Sequence, residues 1–254
     1  MHFDSPANLR LIRICTLGAL AGIAVFCLNP VNSSIMKIGF LASLAFAWAG
    51  MVFLLWKRRT LRRLLLLLPL IPMVALILPG REIDGSELRA DYLERMSSLE
   101  ETRYVWGGES RRGIDCSGLP RKALRDALLS YGLRHGNGSA IRGYVEQWWY
   151  DASARALGEG YRGYTVALKM RGSLRDLDLR SLVPGDLAVT ADGLHILVYI
   201  GDENWIQADL GLGRVATLNC RTSNNIWFST PVTLHRWTIL DSMTMVRPQT
   251  QTYK

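Results

Sequence analysis

The sequence predicts an α+β domain with an antiparallel sheet, preceded by an all-α membrane region of three helices. Three observations lead there: long apolar runs confined to the first 80 residues, helical periodicity from Ser86 to about Gly132, and a last third of short β-rich segments separated by Gly, Asp and Asn turns. The expected division is 1–80 for the anchor and 81–254 for the second domain.

Residues 11–28, 35–56 and 64–79 are the apolar runs; the second carries only Lys37 and the third no charge. A helix rises about 1.5 Å per residue and a hydrocarbon core is about 30 Å thick, so the first two are long enough to span and the third is marginal. Pro69 and Pro72 kink the third run, and a re-entrant hairpin is its alternative. Lys57, Arg58, Arg59, Arg62 and Arg63 separate runs two and three, whereas Asn29 to Ser34 carries no charge. Basic loops stay in the cytoplasm, and Arg10 and Arg13 keep the N-terminus there, so three spans place everything after Gly80 outside it. The first run lacks a small-residue cleavage site before Asn29-Pro30, and Phe26 before Cys27 argues against lipid attachment at that cysteine.

The net charge of +8 follows from this topology: Lys and Arg number 8 against one acid before residue 81, and 22 against 21 from there on. The second domain is close to neutral, so nucleic acid is not an expected partner. His135, His195 and His235 lack ligand spacing, so no metal and no cofactor is expected. Cys116 and Cys220 are expected to stay unbridged, Cys220 as a buried thiol after a strand.

Past Gly80 the chain turns polar. Ser86 can cap a helix whose stripe is Leu88, Tyr92, Met96 and Leu99. A second helix carries Leu119, Ala123, Leu124, Ala127, Leu128 and Tyr131 on one face, with Gly132 as its natural stop. After the loop Arg134 to Ser139, another amphipathic stretch presents Ile141, Val145, Trp148, Trp149, Ala152 and Ala156; one tryptophan packs inward and its neighbour is half exposed, or the pair walls a groove. Strands are expected over Tyr164 to Leu168, Leu187 to Thr190, His195 to Ile200, Trp205 to Ala208, Arg214 to Asn219 and Val232 to Leu240.

Tyr104-Val105-Trp106-Gly107-Gly108 and Asp115-Cys116-Ser117-Gly118 deliver a cysteine to a helix start, where the positive dipole end favours a thiolate. Cys116 is therefore the candidate nucleophile. His195 opens an apolar strand after the turn Ala191-Asp192-Gly193 and is the candidate base, whereas His135 lies in a glycine-rich loop that would not hold a base rigidly.

These blocks, with Pro184-Gly185-Asp186-Leu187 and Trp205-Ile206-Gln207-Ala208, resemble in sequence and order the NlpC family of papain-like cysteine endopeptidases, which cut bacterial cell-wall peptides. The resemblance covers roughly residues 86 to 240. It implies a papain-like NlpC-type domain in which Gln207, twelve residues after His195, orients the imidazole. A three-residue hairpin loop, Asp202 to Asn204, would put Gln207 on the His195 face but about 13 Å along the strand, at about 3.3 Å per residue; a two-residue turn would put it on the other face. Twist or a bulge must then close the gap, and Asp209 is the runner-up orienter. The resemblance also implies that Tyr104 lines the site and assists the oxyanion, and that Asp115 and Ser117 recognise the free amino end of a wall peptide; as plain packing, Tyr104 is core and Asp115 caps the helix. Arg103, Ile196-Leu197 and the 79-residue interval from Cys116 to His195 depart from the family pattern.

The function so implied is membrane-anchored hydrolysis of peptidoglycan stem peptides at the γ-D-glutamyl to diamino acid bond. The expected location is a multi-pass position in a bacterial inner membrane with the catalytic domain on the periplasmic side. Expected partners are peptidoglycan peptides, the lipid bilayer and a regulatory protein. The alternatives are a non-catalytic wall-binding module and a thiol acyltransferase or thioesterase working at the membrane.

Overall fold

The computed structural model describes residues 6–241, so the last part of the predicted second domain, 242–254, lies outside the described residues. Helices α1 (Pro6–Leu28) and α2 (Ser34–Leu54) form an antiparallel hairpin. They approach closely because Gly50 has no side chain: a Cβ there would lie 2.0 Å from Thr16 Oγ1. The third apolar run forms α3 (Arg59–Leu67) and α4 (Leu70–Ile77), broken beside Pro69. By length and composition, α1, α2 and the 19 residues Arg59–Ile77 can each cross a membrane.

Helix α5 (Gly85–Ser97) is capped by Asp84 and not by Ser86. The Asp84 carboxylate accepts from the N–H groups of Ser86 and Glu87 at 2.8 and 3.2 Å, and a negative charge suits the positive helix end better than a hydroxyl does. A two-residue hairpin of β1 (Glu109–Ser110) and β2 (Gly113–Ile114) leads into α6 (Gly118–His135). The helix runs through Gly132, the expected stop, and ends at Gly136 in the left-handed region, φ +55°. Gly132 serves packing instead, since a Cβ there would stand 2.7 Å from the Ile141 side chain. The following amphipathic stretch is two helices, α7 (Gly138–Trp149) and α8 (Ala154–Gly158), the second restarted by Ser153 capping Ala156. The face of α7 packed on α6 buries Ala140, Ile141 and Gln147, which leaves Val145 exposed against expectation.

Strands β3 (Thr165–Ser173), β4 (Leu187–Thr190), β5 (Ile196–Gly201), β6 (Asn204–Asp209), β7 (Arg214–Asn219) and β8 (Pro231–Trp237) form one sheet in the order β3-β8-β4-β5-β6-β7, antiparallel throughout. The expected last strand stops at Trp237 because the chain turns at Thr238–Leu240, where Arg89 donates to the Leu240 carbonyl at 2.6 Å. Both sheet faces are covered, as the period of two requires. Ile196, Val198, Ile206 and Ala208 face the α5/α6 core with Leu88, Tyr92, Leu124 and Leu128. Leu197, Tyr199 and Trp205 face a second cluster with Leu174, Phe228 and Leu234.

The Pro184-Gly185-Asp186 turn is a structural lock. Gly185 has φ +102°, and the 1% exposed Asp186 accepts both Nε and Nη2 of Arg236 at 2.7 Å. Removing one member of a buried pair strands the other, so Asp186→Ala is expected to cost about 3 kcal/mol, read by denaturation of the full chain in detergent; a loss under about 1 kcal/mol would show that solvent already carries the Arg236 charge.

Candidate active site

The site is built on a knot around Asp115. Its Oδ2 accepts from Gly107 N–H at 2.9 Å, and its Oδ1 accepts from Gly118 N–H at 2.6 Å and the Ser117 hydroxyl at 3.0 Å. Two glycines let the strands of the knot touch: a Cβ on Gly118 would lie 2.2 Å from the Gly108 carbonyl oxygen, and one on Gly108 2.6 Å from that of Gly113. Burial raises the Asp115 pKa, and the three hydrogen bonds and Arg121 pull the other way.

Cys116 sits inside this knot, one residue before Ser117 at the cap position of α6. It is 7% exposed, with Sγ 3.7 Å from the Leu194 carbonyl oxygen and the Ile196 N–H directed at it. The thiol thus lies against the backbone on both sides of His195. The helix dipole does not prevail over burial here. Burial, then the charge of Asp115, pushes the thiol up to about 12, and the N–H groups of Ile196 and Ser117 only moderate the shift.

His195 is 3% exposed and held at its backbone by Thr190, whose Oγ1 accepts from His195 N–H at 2.9 Å and whose N–H donates to the His195 carbonyl at 3.0 Å. Its Nε2 lies 2.6 Å from Gln207 Oε1. The hairpin that brings them together combines both features that sequence reasoning set apart. Asp202 and Glu203 form a two-residue turn, both at positive φ, pairing Gly201 with Asn204; a bulge at Ile200 then shifts the register to Tyr199 opposite Trp205 and Val198 opposite Ile206. The bulge restores the parity the turn would have reversed, and it draws Gln207 level with Leu197, two residues nearer His195 than a bulge-free three-residue loop would. With the amide oxygen accepting, Nε2 carries the proton and Nδ1 is the free acceptor. Gln207 is 0% exposed and its Nε2 has no partner among the described residues, a cost of about 1–3 kcal/mol that an apolar residue would not incur.

Burial lowers the His195 pKa, against the Gln207 hydrogen bond and the charges of Asp209 and Asp192. A neutral thiol therefore lies near a neutral imidazole. Among the described residues, no hydrogen bond joins Sγ to the ring.

Tyr104 is fixed by its N–H to the Gly213 carbonyl, 2.7 Å. Its phenol is held protonated by burial and then by nearby Cys116, Asp115 and Asp209. Asp209 does not bond the imidazole; its oxygens accept from Gly211 N–H at 2.6 Å and Asn225 Nδ2 at 2.5 Å. Trp227, which no sequence pattern marked, stacks on His195 with centroids 4.1 Å apart and planes at 14°. The available signal was weak, an aromatic two residues after Asn225 in a turn-rich segment. Trp148 and Trp149 line cavities shared with α2. His135 lies on α6 and pairs with Glu87 at 2.9 Å. Cys220 is a free buried thiol, and no metal-ligating cluster occurs among the described residues.

The fold and this knot define an α+β protein with a buried cysteine at the start of a helix. Residues 101–234 match the model of the NlpC/P60 family, and the chain belongs to that family. No curated protein matches the chain. Among solved structures, it is similar to an NlpC/P60 family protein from Bacillus cereus ATCC 10987, with 20% identity and a TM-score of 0.38 over 63% of this chain and 41% of that one. NlpC1 from Trichomonas vaginalis is 16% identical, TM-score 0.41, over 62% and 46%. The peptidoglycan hydrolase RipB from Mycobacterium tuberculosis is 20% identical, TM-score 0.37, over 60% and 65%. The chain thus spans less than two thirds of the length of each.

The raised thiol gives a pH test. Between the free-thiol value of 9.0 and about 12, the folded state keeps a proton that the unfolded state loses. Alkylation of Cys116 by iodoacetamide should therefore stay slow to about pH 9 and keep climbing above about pH 10. Stability should fall with rising pH over the same window, and Cys116→Ala should remove that part of the fall. An alkylation plateau reached by about pH 8 would instead indicate a thiolate–imidazolium pair at rest.

Proposed function

We propose that this protein is a membrane-held cysteine endopeptidase acting on peptidoglycan stem peptides, with residues 1–80 as anchor and 81–254 as the peptidase domain. The observation that carries the reading is the His195–Gln207 contact, a buried amide held at 2.6 Å from a buried imidazole with its own N–H₂ unpaired among the described residues. A packing role alone gives no reason to retain that orphan.

In this reading, substrate entry lets Nδ1 of His195 take the proton from Cys116 as Sγ attacks the amide carbon. Burial favours the neutral form of both groups, so in this reading the imidazole acts as a general base on the thiol. The tetrahedral oxyanion is met by the N–H of Cys116 and the protonated Tyr104 hydroxyl. The imidazolium returns its proton to the leaving amine, and water activated by His195 hydrolyses the thioester. Asp115 and Ser117 are assigned recognition of the ammonium end of a stem peptide, for which the Asp115 carboxylate would have to accept one more donor beside its bonds to Gly107, Gly118 and Ser117. The bond proposed is that between D-glutamate, through its γ-carboxyl, and the diamino acid.

Topology supports an outward-facing domain. Asn32, in the α1–α2 turn, donates its N–H to the Gly107 carbonyl at 3.0 Å, so the turn and the site share one side, and the chain between them crosses an even number of times. With the basic 57–63 segment inside, that side is the periplasmic one. The same proximity favours a second reading, acyl transfer from a lipid, for which a fatty-acyl adduct on Cys116 is the mark.

Incubating purified muropeptides with the full chain in detergent should release products cut between D-glutamate and the diamino acid, and Cys116→Ala should abolish them. Mass analysis that finds no cleavage by the wild type would refute the endopeptidase reading. Gln207→Ala should lower kcat about 10–100-fold with KM nearly unchanged, since it frees the ring without touching substrate.

A further inference from the structure

We propose that the α1–α2 turn and Lys37 are positioning elements of the Cys116 site, so that the membrane anchor is a working part of the catalytic centre and more than a tether. The turn lies against the glycine loop as an added edge: Asn32 N–H donates to Gly107 O at 3.0 Å, Glu109 N–H donates to Pro30 O at 2.9 Å, and Val31 bridges Gly108. Gly107 is the residue whose N–H holds Asp115, so the Asn32 bond is one peptide plane from the knot that carries the thiol.

A second route reaches the same segment from the other side. Lys37, on the first turn of α2, has a side chain 2% exposed and donates to Asp151 Oδ1 at 2.6 Å and to the Trp149 carbonyl at 3.2 Å. Arg121 joins Asp151, at 2.8 Å, to Glu109, at 3.0 Å; Arg125 also pairs with Glu109, at 2.8 Å, and Asn32 Nδ2 closes the circuit on the same carboxylate. Arg121 and Arg125 project from α6, the helix that begins just after Cys116.

A charge on a membrane helix is costly and needs a partner. The partners found for Lys37 are a carboxylate and a carbonyl outside the anchor, so the charge is satisfied by docking. A tether needs none of this. Two sets of bonds, one to the loop before the nucleophile and one to the helix after it, leave Cys116 little freedom relative to His195. Neither Asn32 nor Lys37 touches the reacting atoms.

The test uses the full chain in detergent and reads iodoacetamide labelling of Cys116 against Cys220, two buried thiols in one molecule, by peptide mass analysis. Lys37→Met, and Asn32→Pro, which removes the N–H that donates to Gly107, should quicken Cys116 labelling about threefold or more with Cys220 unchanged, because release of the clamp exposes the thiol. Lys37→Arg should stay near wild type. If Lys37→Met fails to fold, the charge-neutral pair Lys37→Met with Asp151→Asn takes its place, with the same expectation. Unchanged Cys116 labelling, or Cys116 and Cys220 rising together, would overturn the proposal, the second because it reports general unfolding. The labelling needs no substrate, so it decides this inference even if the endopeptidase reading fails. Where cleavage is measured, the same variants should lose about tenfold in kcat with little change in KM.

Discussion

The Asp115 carboxylate is the constraint on which the site depends. One side chain satisfies two backbone N–H groups and a hydroxyl, and in doing so it ties the glycine loop to the start of α6 with Cys116 between them. The cost is electrostatic: a buried carboxylate next to the thiol helps to hold the proton on sulfur. The knot thus favours the thiol over the thiolate while it fixes the position of Cys116.

On the other side of the site the sheet does the positioning. His195 is placed by Thr190 at its backbone, by Gln207 at Nε2 and by Trp227 over its ring, and these three residues come from β4, from β6 and from the turn before β8. One extra residue in β5 lets Gln207 reach the imidazole. A bulge of this sort re-aims a side chain without changing the face on which it lies, and it leaves the buried alternation of β5 and β6 intact up to Tyr199.

The charged residues divide into three settings. Arg236 with Asp186 locks a turn, surface pairs such as Arg180 with Asp178 contribute little, and the circuit from Lys37 through Asp151, Arg121 and Glu109 joins the apolar hairpin to the helix that follows Cys116. In this circuit three cations face two carboxylates, and Asp151 keeps a third of its side chain in water, which eases the imbalance. Buried charge of this kind specifies one docking arrangement more than it adds stability.

Much of the architecture was legible in the chain. Apolar runs of membrane length, helical stripes and β-rich segments bounded by turns are local patterns, and each depends on residues close in sequence, so the three apolar helical segments, with the break at Pro69, and α5, α6 and the six-stranded antiparallel sheet are legible there. Cys116 and His195 stand out as candidates in local patterns, and the family resemblance adds Gln207. Cap choice at Asp84 and the run of α6 through Gly132 were misjudged because a neighbouring helix or a carboxylate outweighed local propensity. The sequence by itself determined which elements form and which side chains are candidates for the site. Only the tertiary structure decided how they meet: the β5 bulge that completes the Gln207 contact, the stacking of Trp227, the burial that protonates Cys116, and the docking of Lys37 onto Asp151, 114 residues away. Contacts of that range depend on register, burial and charge pairing across the fold, none of which a local pattern records.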